Sequence, residues 1–223
     1  MLFGDKKLYA RARQAKLGKS DLSGPLEDLR LWVNSQYSIN VIYVVYDFID
    51  IGPHKDRPRL NLIIETTQDY EQVHKDIFTL KPNIKGSILN KFSRIVAESD
   101  SPSNYNTENV HLISDNFSQE AMGRAAEQFL LKESRGVIKS YPEANIWDIS
   151  GLSTQIVVFY QKEKEITQCQ KNGRSAAIYQ RCYEAVKGYD EFDYICPENF
   201  TLKFDSKENV DKNYNGSMFY YWR

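Results

Sequence analysis

The 223-residue sequence has few cysteines, few histidines and almost no net charge, and each scarcity excludes a class of protein. The three cysteines, Cys169, Cys182 and Cys196, are odd in number and include no CxxC pair, so the pattern predicts neither a disulfide framework nor a zinc site. The 29 Lys and Arg residues stand against 30 Asp and Glu residues, which gives a formal net charge of −1. Nucleic acids and anionic membranes require clustered basic charge, so we expect neither to be the main partner.

Long hydrophobic runs are also absent. Runs such as Ile39 to Tyr46 and Ile156 to Tyr160 are far shorter than the ~20 residues that cross a bilayer, so no membrane span is predicted. At the start of the chain, charged residues from Asp5 onwards follow an apolar beginning directly, without the apolar core of a secretory signal. Together with the unpaired cysteines, these features predict a cytoplasmic protein.

The common motifs of enzyme and nucleotide sites are missing. The sequence contains no GxGxxG, GxSxG or HExxH motif. The tripeptide Gly18-Lys19-Ser20 is similar to the end of a phosphate-binding P-loop, but that loop needs a glycine where this chain has Arg13. We therefore expect no cofactor and no bound metal.

The order of predicted elements indicates an α+β fold. Residues 1–20 carry an excess of basic residues and predict a basic N-terminal arm or a short helix. The remainder divides into two halves, residues 21–117 and residues 118–223. Within them, residues 24–115 and residues 119–206 each give the order helix, strand, strand, helix, strand. The chain is then either a tandem duplication of this unit or one continuous domain without internal symmetry. In both cases we expect mostly antiparallel strands with helices on one face.

Several strands are predicted from β-branched and aromatic residues. Ile39 to Ile51 and Leu60 to Thr67 flank a charged turn, which indicates a hairpin. Both faces of the first of these strands are apolar, so we expect it to be central in its sheet. Near the other end of the chain, Ile166 to Gln170 is a candidate strand extension, and Met218 to Trp222 predicts a final strand.

Two helices are predicted on either side of a polar segment. Pro82 begins a helix in which four apolar residues share one face: Ile84, Ile88, Phe92 and Ile95. Ser118 is the N-cap of a long helix that runs to about Ser140. The segment Glu98–Asn106 between them is polar and rich in turn residues, and it is therefore a linker or a surface loop.

Five residues are candidates for a catalytic site: Asp47, Glu65, His74, Asp76 and His111. Asp47 lies in an otherwise apolar strand, where an inward-facing carboxyl would have a raised pKa. His74 and Asp76 share a face of an extended segment, where the carboxylate would orient the imidazole. The alternative in each case is a solvated residue or a polar residue on a loop or sheet surface.

The aromatic content is the most unusual feature of the composition. The chain contains 15 Tyr, 11 Phe and 3 Trp, or 13% aromatic residues. Tyrosine is favoured at protein interfaces because it combines a large contact area with a polar tip. The candidate binding residues are Tyr189, Asp190, Glu191, Asp193, Tyr194, Tyr220 and Trp222. The alternative is that these rings belong to the core.

These observations give three hypotheses of function. The first is a non-enzymatic module that binds one partner protein through an aromatic and acidic surface, and a bacterial immunity or inhibitor protein is one concrete version. The second is a hydrolase or transferase with a carboxylate and histidine site between the two halves. The third makes the basic arm a tether to an anionic surface. Pairing of the final strand with a second copy would give a homodimer.

Overall fold

Two apolar strands joined by a charged loop organise the first part of the chain. In the computed structural model, which describes residue 2 and residues 4–223, strand β1 (Val41–Phe48) pairs antiparallel with strand β2 (Pro58–Ile64). The predicted hairpin is therefore confirmed. Strand β3 (His111–Asn116) pairs with β2 in parallel, which gives a mixed sheet with the order β1-β2-β3.

The chain divides into a first unit, residues 1–118, and a second unit, residues 119–223. The helices of the first unit are α1 (Lys6–Lys16), α2 (Gly24–Tyr37), α3 (Thr67–Val73) and α4 (Pro82–Ala97). The segment Glu98–Asn106, which includes a 3₁₀ turn, connects α4 to β3 within this unit. It is therefore a surface loop and does not link the units.

Helices cover both faces of the first sheet. Helices α2 and α4 pack on one face, where Val33 and Phe92 join a core with Leu62. The predicted apolar stripe of α4 is confirmed, because all four of its residues are buried. Helix α1 packs against β1 on the other face, where the Arg11 guanidinium lies 5.1 Å from the ring centre of Tyr43.

Packing on both faces explains why β1 is apolar on both sides. The expectation that β1 is the central strand is wrong, since β2 lies between β1 and β3. Successive side chains of a strand point to opposite faces. Val44 therefore faces α2 and α4, while Tyr43 faces α1. The sequence predicted helices on one face of the sheet. Helix α1 adds a helix on the other face, where its residues Leu8 and Ala12 are buried.

The second unit contains a sheet with the same order and directions of pairing. Strand β4 (Ile146–Leu152) is antiparallel to β5 (Gln155–Tyr160), and β6 (Thr201–Ser206) is parallel to β5. A register shift follows the first residue of β4, as it follows the first residue of β1. The α+β class is confirmed by these two mixed sheets and their helices. A tandem duplication stays a prediction, because it rests on this likeness of topology.

The helices of the second unit enclose its sheet. They are α5 (Phe117–Lys132, which begins two residues before the unit), α6 (Ser134–Ser140), α7 (Glu163–Lys171), α8 (Arg174–Lys187), α9 (Lys207–Asn213) and α10 (Met218–Tyr221). The long helix predicted from Ser118 to about Ser140 is thus two helices, which are separated at Glu133. No helix among the described residues has the length and apolar composition needed to cross a membrane.

Two predicted strands near the C-terminus are wrong. Ile166 to Gln170 lies in α7, at whose start the backbone N–H of Lys162 donates to Glu165 Oε2 at 2.8 Å. Met218 to Trp222 is not a strand, because Met218–Tyr221 forms helix α10 after a turn with positive φ at Asn215 and Gly216. Helical spacing places Met218 and Tyr221 on the same side, against one aromatic cluster. The homodimer predicted from pairing of a strand at Met218–Trp222 therefore lacks the strand it requires.

Candidate functional site

The C-terminal helix α10 is anchored by aromatic side chains. Tyr221 packs edge-on against the buried ring of Phe159, with 5.0 Å between the ring centres. Its hydroxyl donates to Asp205 Oδ2 at 2.7 Å, and burial together with this hydrogen bond raises the pKa of Tyr221. Trp222 is half-buried in the same cluster, which also contains Trp147. These contacts fix the position of a helix that is only four residues long.

Two other rings of this helix face solvent and form what we call the aromatic patch, Phe219 and Tyr220. Phe219 is 69% exposed and Tyr220 is 51% exposed, and their ring centres lie 5.6 Å apart. The guanidinium of Arg223 lies 5.9 Å from the centre of the Phe219 ring. The patch is therefore an exposed aromatic surface on an anchored support.

The predicted acidic cluster lies in the loop from Tyr189 to Cys196, and its carboxylates have different roles. The side chain of Asp190 is 1% exposed and accepts hydrogen bonds from the backbone N–H groups of Tyr194 and Ile195, at 3.1 and 2.7 Å. Asp190 therefore holds the loop in shape. Glu191 is exposed, and Asp193, whose side chain is 89% exposed, forms an ion pair with Lys187 at the surface.

The two predicted groups of binding residues lie on opposite faces of the second sheet. Tyr189 packs against the core that contains Val158, whereas Tyr221 and Trp222 pack against Phe159. Val158 and Phe159 are neighbours in β5 and point to opposite faces. The structure therefore does not combine the acidic loop and the C-terminal aromatic residues on one face.

Asp47 and His111 lie on one face of the first sheet, on either side of Arg59. Arg59 donates two hydrogen bonds to the Asp47 carboxylate, at 2.8 and 2.6 Å, and it is the register partner of His111 on β3. Burial and the positive charge of Arg57 lower the pKa of His111. Asp47 is thus a half-exposed ion-pair partner.

Glu65 is buried beside two polar partners. Its side chain binds Lys16 of α1, and it accepts a hydrogen bond from the amide of Asn40. Only 8% of Glu65 is exposed. This carboxylate therefore connects α1 to the end of β2.

His74 is hydrogen-bonded to a serine that sequence analysis missed. Its Nε2 lies 2.8 Å from Ser114 Oγ, and its Nδ1 lies 2.6 Å from the carbonyl oxygen of Tyr70. The Tyr70 ring stacks on the imidazole, with 3.7 Å between the ring centres. Burial lowers the pKa of His74. Asp76 instead accepts hydrogen bonds from the backbone N–H groups at the tip of its own loop, Phe78 and Thr79.

One sequence signal points to Ser114. Ser114 and Leu112 lie two residues apart in β3, so both point to the same face. Leu112 belongs to the core, and a serine that faces a core needs a hydrogen-bond partner. The alternation identifies Ser114 as an inward polar residue, but it does not identify His74 as its partner.

The described residues contain no group of three His, Cys, Asp or Glu side chains placed to hold a metal ion. A cavity in the second unit, lined by residues that include Met122, Val186 and Phe200, has a volume of about 10 Å³. This space holds about one water molecule. Cys169 and Cys182 are buried, and Cys196 is half-buried.

Comparison with known proteins gives no family for this chain. No family model, curated protein or solved structure matches it. Function is therefore inferred from the geometry of these sites alone.

Proposed function

We propose that this chain is a protein-binding module that engages a partner protein through the aromatic patch. The observation that carries the proposal is the exposure of Phe219 and Tyr220 on a helix whose other rings are packed into a cluster. Exposed aromatic side chains bury a large apolar area when a partner covers them. Tyr and Trp are also enriched among the residues that dominate binding energy at interfaces.

The anchoring of α10 supports this role energetically. A surface that is ordered before binding loses little conformational entropy on association, so more of the contact energy appears as affinity. Tyr221 supplies this order through Phe159 and Asp205. The patch does not need to fold when the partner arrives.

The acidic loop supports a narrower version, in which the partner is basic. Exposed carboxylates at Glu191 and Asp193 would accelerate encounter with a positively charged surface. An immunity-like or inhibitor-like protein that occupies one basic partner would use such a loop. The carboxylates lie on the opposite face of the sheet from the aromatic patch. We therefore expect them to change the rate of association with the partner and not the contact that the patch makes.

The first experiment is native mass spectrometry of the protein isolated gently from its own organism. The proposal predicts a complex with a second protein in a fixed ratio. A complex that holds only a small molecule, or only copies of this chain, would contradict it.

The second experiment measures the affinity of that complex with variants of the patch. Phe219→Ala and Tyr220→Ala should each weaken binding by about 2 kcal/mol, or roughly 30-fold in Kd. Leu131→Ala is the control, because Leu131 is also exposed, at 72%, but lies on α5 away from the patch residues. It should change Kd by less than about threefold. Unchanged affinity in both patch variants would refute the proposed surface.

A third measurement tests the acidic loop separately. Glu191→Gln combined with Asp193→Asn should slow association with a basic partner at low salt and leave dissociation unchanged. Asp190 is left intact because its carboxylate holds the loop. Association rates that do not respond to these substitutions or to salt would exclude the basic partner while leaving the aromatic patch in place.

A further inference from the structure

A serine and a histidine in the first unit form the hydrogen-bonded pair that nucleophilic catalysis requires. Ser114 Oγ and His74 Nε2 are 2.8 Å apart, within the range of a serine and its general base. We propose that Ser114 is a nucleophile activated by His74, and that its substrates are esters with an apolar acyl group. This activity goes beyond the proposed protein-binding function, because its residues lie in the other unit.

The hydrogen bonds of His74 fix which nitrogen can act as the base. The carbonyl oxygen of Tyr70 can only accept a hydrogen bond, so the Nδ1 atom, 2.6 Å away, carries the proton. In the neutral ring Nε2 is then unprotonated, and the Ser114 hydroxyl donates to it. Burial lowers the pKa of His74, which favours the neutral form of the imidazole. The His74 base therefore points toward the Ser114 hydroxyl, and the backbone carbonyl of Tyr70 is the group that orients the base.

The pair is held in place by its surroundings. His74 is 7% exposed and is stacked on the Tyr70 ring at 3.7 Å. Ser114 lies in β3, where it is the register partner of Leu62 on β2. Strand β3 holds the backbone of Ser114, and the ring of Tyr70 on α3 holds the imidazole of His74.

The loop after His74 indicates the class of substrate. Ile77 and Phe78 at its tip are 73% and 86% exposed, which makes an apolar surface. The Tyr70 hydroxyl donates to the carbonyl oxygen of Ile77 at 3.1 Å, so this loop is tied to the residue that stacks on His74. Ser114 itself is partly exposed. An apolar acyl chain beside this loop would bring its carbonyl group to Ser114.

The proposed reaction is a two-step ester hydrolysis. Ser114 Oγ attacks the ester carbonyl carbon while its proton moves to His74 Nε2, and the bond from that carbon to the alcohol oxygen breaks. The proton then passes from Nε2 to the departing alcohol, which leaves an acyl-serine. Water attacks this ester with His74 again as the base, and the products are a carboxylic acid and the free Ser114 hydroxyl.

The test is covalent labelling of the full chain with an alkyl fluorophosphonate, followed by peptide mass spectrometry. We expect one phosphonyl group per chain on Ser114, together with hydrolysis of p-nitrophenyl butyrate. Ser114→Ala should abolish both. His74→Asn should slow labelling about 100-fold, since a general base contributes 10² or more to such a step. Ser93→Ala is the matched control and should change neither, because the Ser93 hydroxyl donates to the Leu89 carbonyl and has no histidine partner.

Two outcomes would overturn the proposal, and one of them needs no variant. If Ser114 of the folded wild-type protein takes up no phosphonyl group under conditions that label a known serine esterase, Ser114 is not an activated nucleophile. If Ser114→Ala, checked for folding by circular dichroism, keeps the full rate of ester hydrolysis, the activity resides elsewhere. A His74→Asn variant that fails to fold leaves both tests available.

Discussion

Asp190 and Lys187 form an ion pair in which the carboxylate is buried and the ammonium group is partly exposed. Lys187 Nζ lies 2.9 Å from Asp190 Oδ2, and the side chains are 30% and 1% exposed, respectively. The same ammonium group also binds Asp193 and the carbonyl oxygen of Ile195. One lysine at the end of α8 therefore organises the loop that follows it.

The first prediction concerns the stability of this loop. Asp190→Asn replaces a buried carboxylate that accepts from two backbone N–H groups by an amide that can donate as well as accept. It also leaves Lys187 without its buried carboxylate partner. We expect a loss of about 2–4 kcal/mol in the free energy of unfolding, measured by urea denaturation. Asp193→Asn is the control, because its 89% exposed side chain should contribute less than about 0.5 kcal/mol. Equal losses in the two variants would contradict the role given to Asp190.

The second prediction concerns the anchor of the aromatic patch. Tyr221→Phe removes the hydroxyl that donates to Asp205 but keeps the ring against Phe159. The free energy of unfolding should fall by about 1–3 kcal/mol, as for a hydrogen bond to a charged group. Tyr220→Phe, at an exposed position in the same helix, should change it by less than about 0.5 kcal/mol. The opposite order in a urea titration would show that Asp205 does not anchor α10.

Elements with a local pattern could be predicted from the sequence. The hairpin of β1 and β2 follows from two β-branched runs around a charged turn, and α4 follows from four apolar residues at helical spacing. The parallel pairing of β3 with β2 could not be predicted in this way. It depends on α3 and α4 carrying the chain back across the sheet, and no local pattern of residues encodes that path.

The candidate sites were predictable only in part, for the same reason. The aromatic residues of α10 are visible in the sequence, but a run of adjacent rings also suits a strand. Their division into exposed and anchored rings depends on Phe159, which lies far away in the chain. The hydrogen bond between His74 and Ser114 joins residues 40 positions apart, and only the fold brings them together.

The third prediction concerns the reactivity of the three cysteines. Burial raises the pKa of the Cys182 thiol to about 12, and Cys169 is also buried. Only the thiolate reacts readily, so in the folded protein at pH 8 we expect Ellman's reagent to modify Cys196 alone. After unfolding in guanidinium, all three thiols should react. Rapid modification of Cys182 in the folded protein would contradict the burial of α8 against its sheet.

The fourth prediction is a loss of stability at alkaline pH that depends on Tyr43. Burial and the hydrogen bond to Asp21 raise the pKa of Tyr43 to about 12, from an ordinary value of 10.0. Above pH 10 the unfolded chain loses this proton while the folded chain keeps it, so the contribution of Tyr43 is complete below pH 10 and is lost as the pH approaches 12. The two pKa units correspond to a total of about 3 kcal/mol.

Tyr43→Phe tests this pH dependence by removing the titrating group. The free energy of unfolding of the variant, measured in urea between pH 8 and pH 11, should fall less steeply than that of the wild-type protein. Some slope should remain, because burial also raises the pKa of Tyr160 to about 12. Parallel curves for the two proteins would show that Tyr43 titrates normally in the folded state.

The last prediction compares two glycines that lie in opposite kinds of surroundings. A methyl group on Gly151 would lie 2.6 Å from the carbonyl oxygen of Gln155 and 3.1 Å from Leu130 Cδ1, so Gly151→Ala forces β4 away from β5 or from α5. A methyl group on Gly86 would meet nothing within 4 Å, and Gly86 lies inside α4. Gly86→Ala should therefore stabilise the protein by about 0.5–1 kcal/mol, because alanine favours the helix and loses less backbone entropy. Gly151→Ala should destabilise it by about 1–3 kcal/mol, the usual cost of forcing atoms into packed space. Thermal melting of both variants checks the pair, and a stabilised Gly151→Ala protein would contradict the close approach of β4 to the backbone of β5.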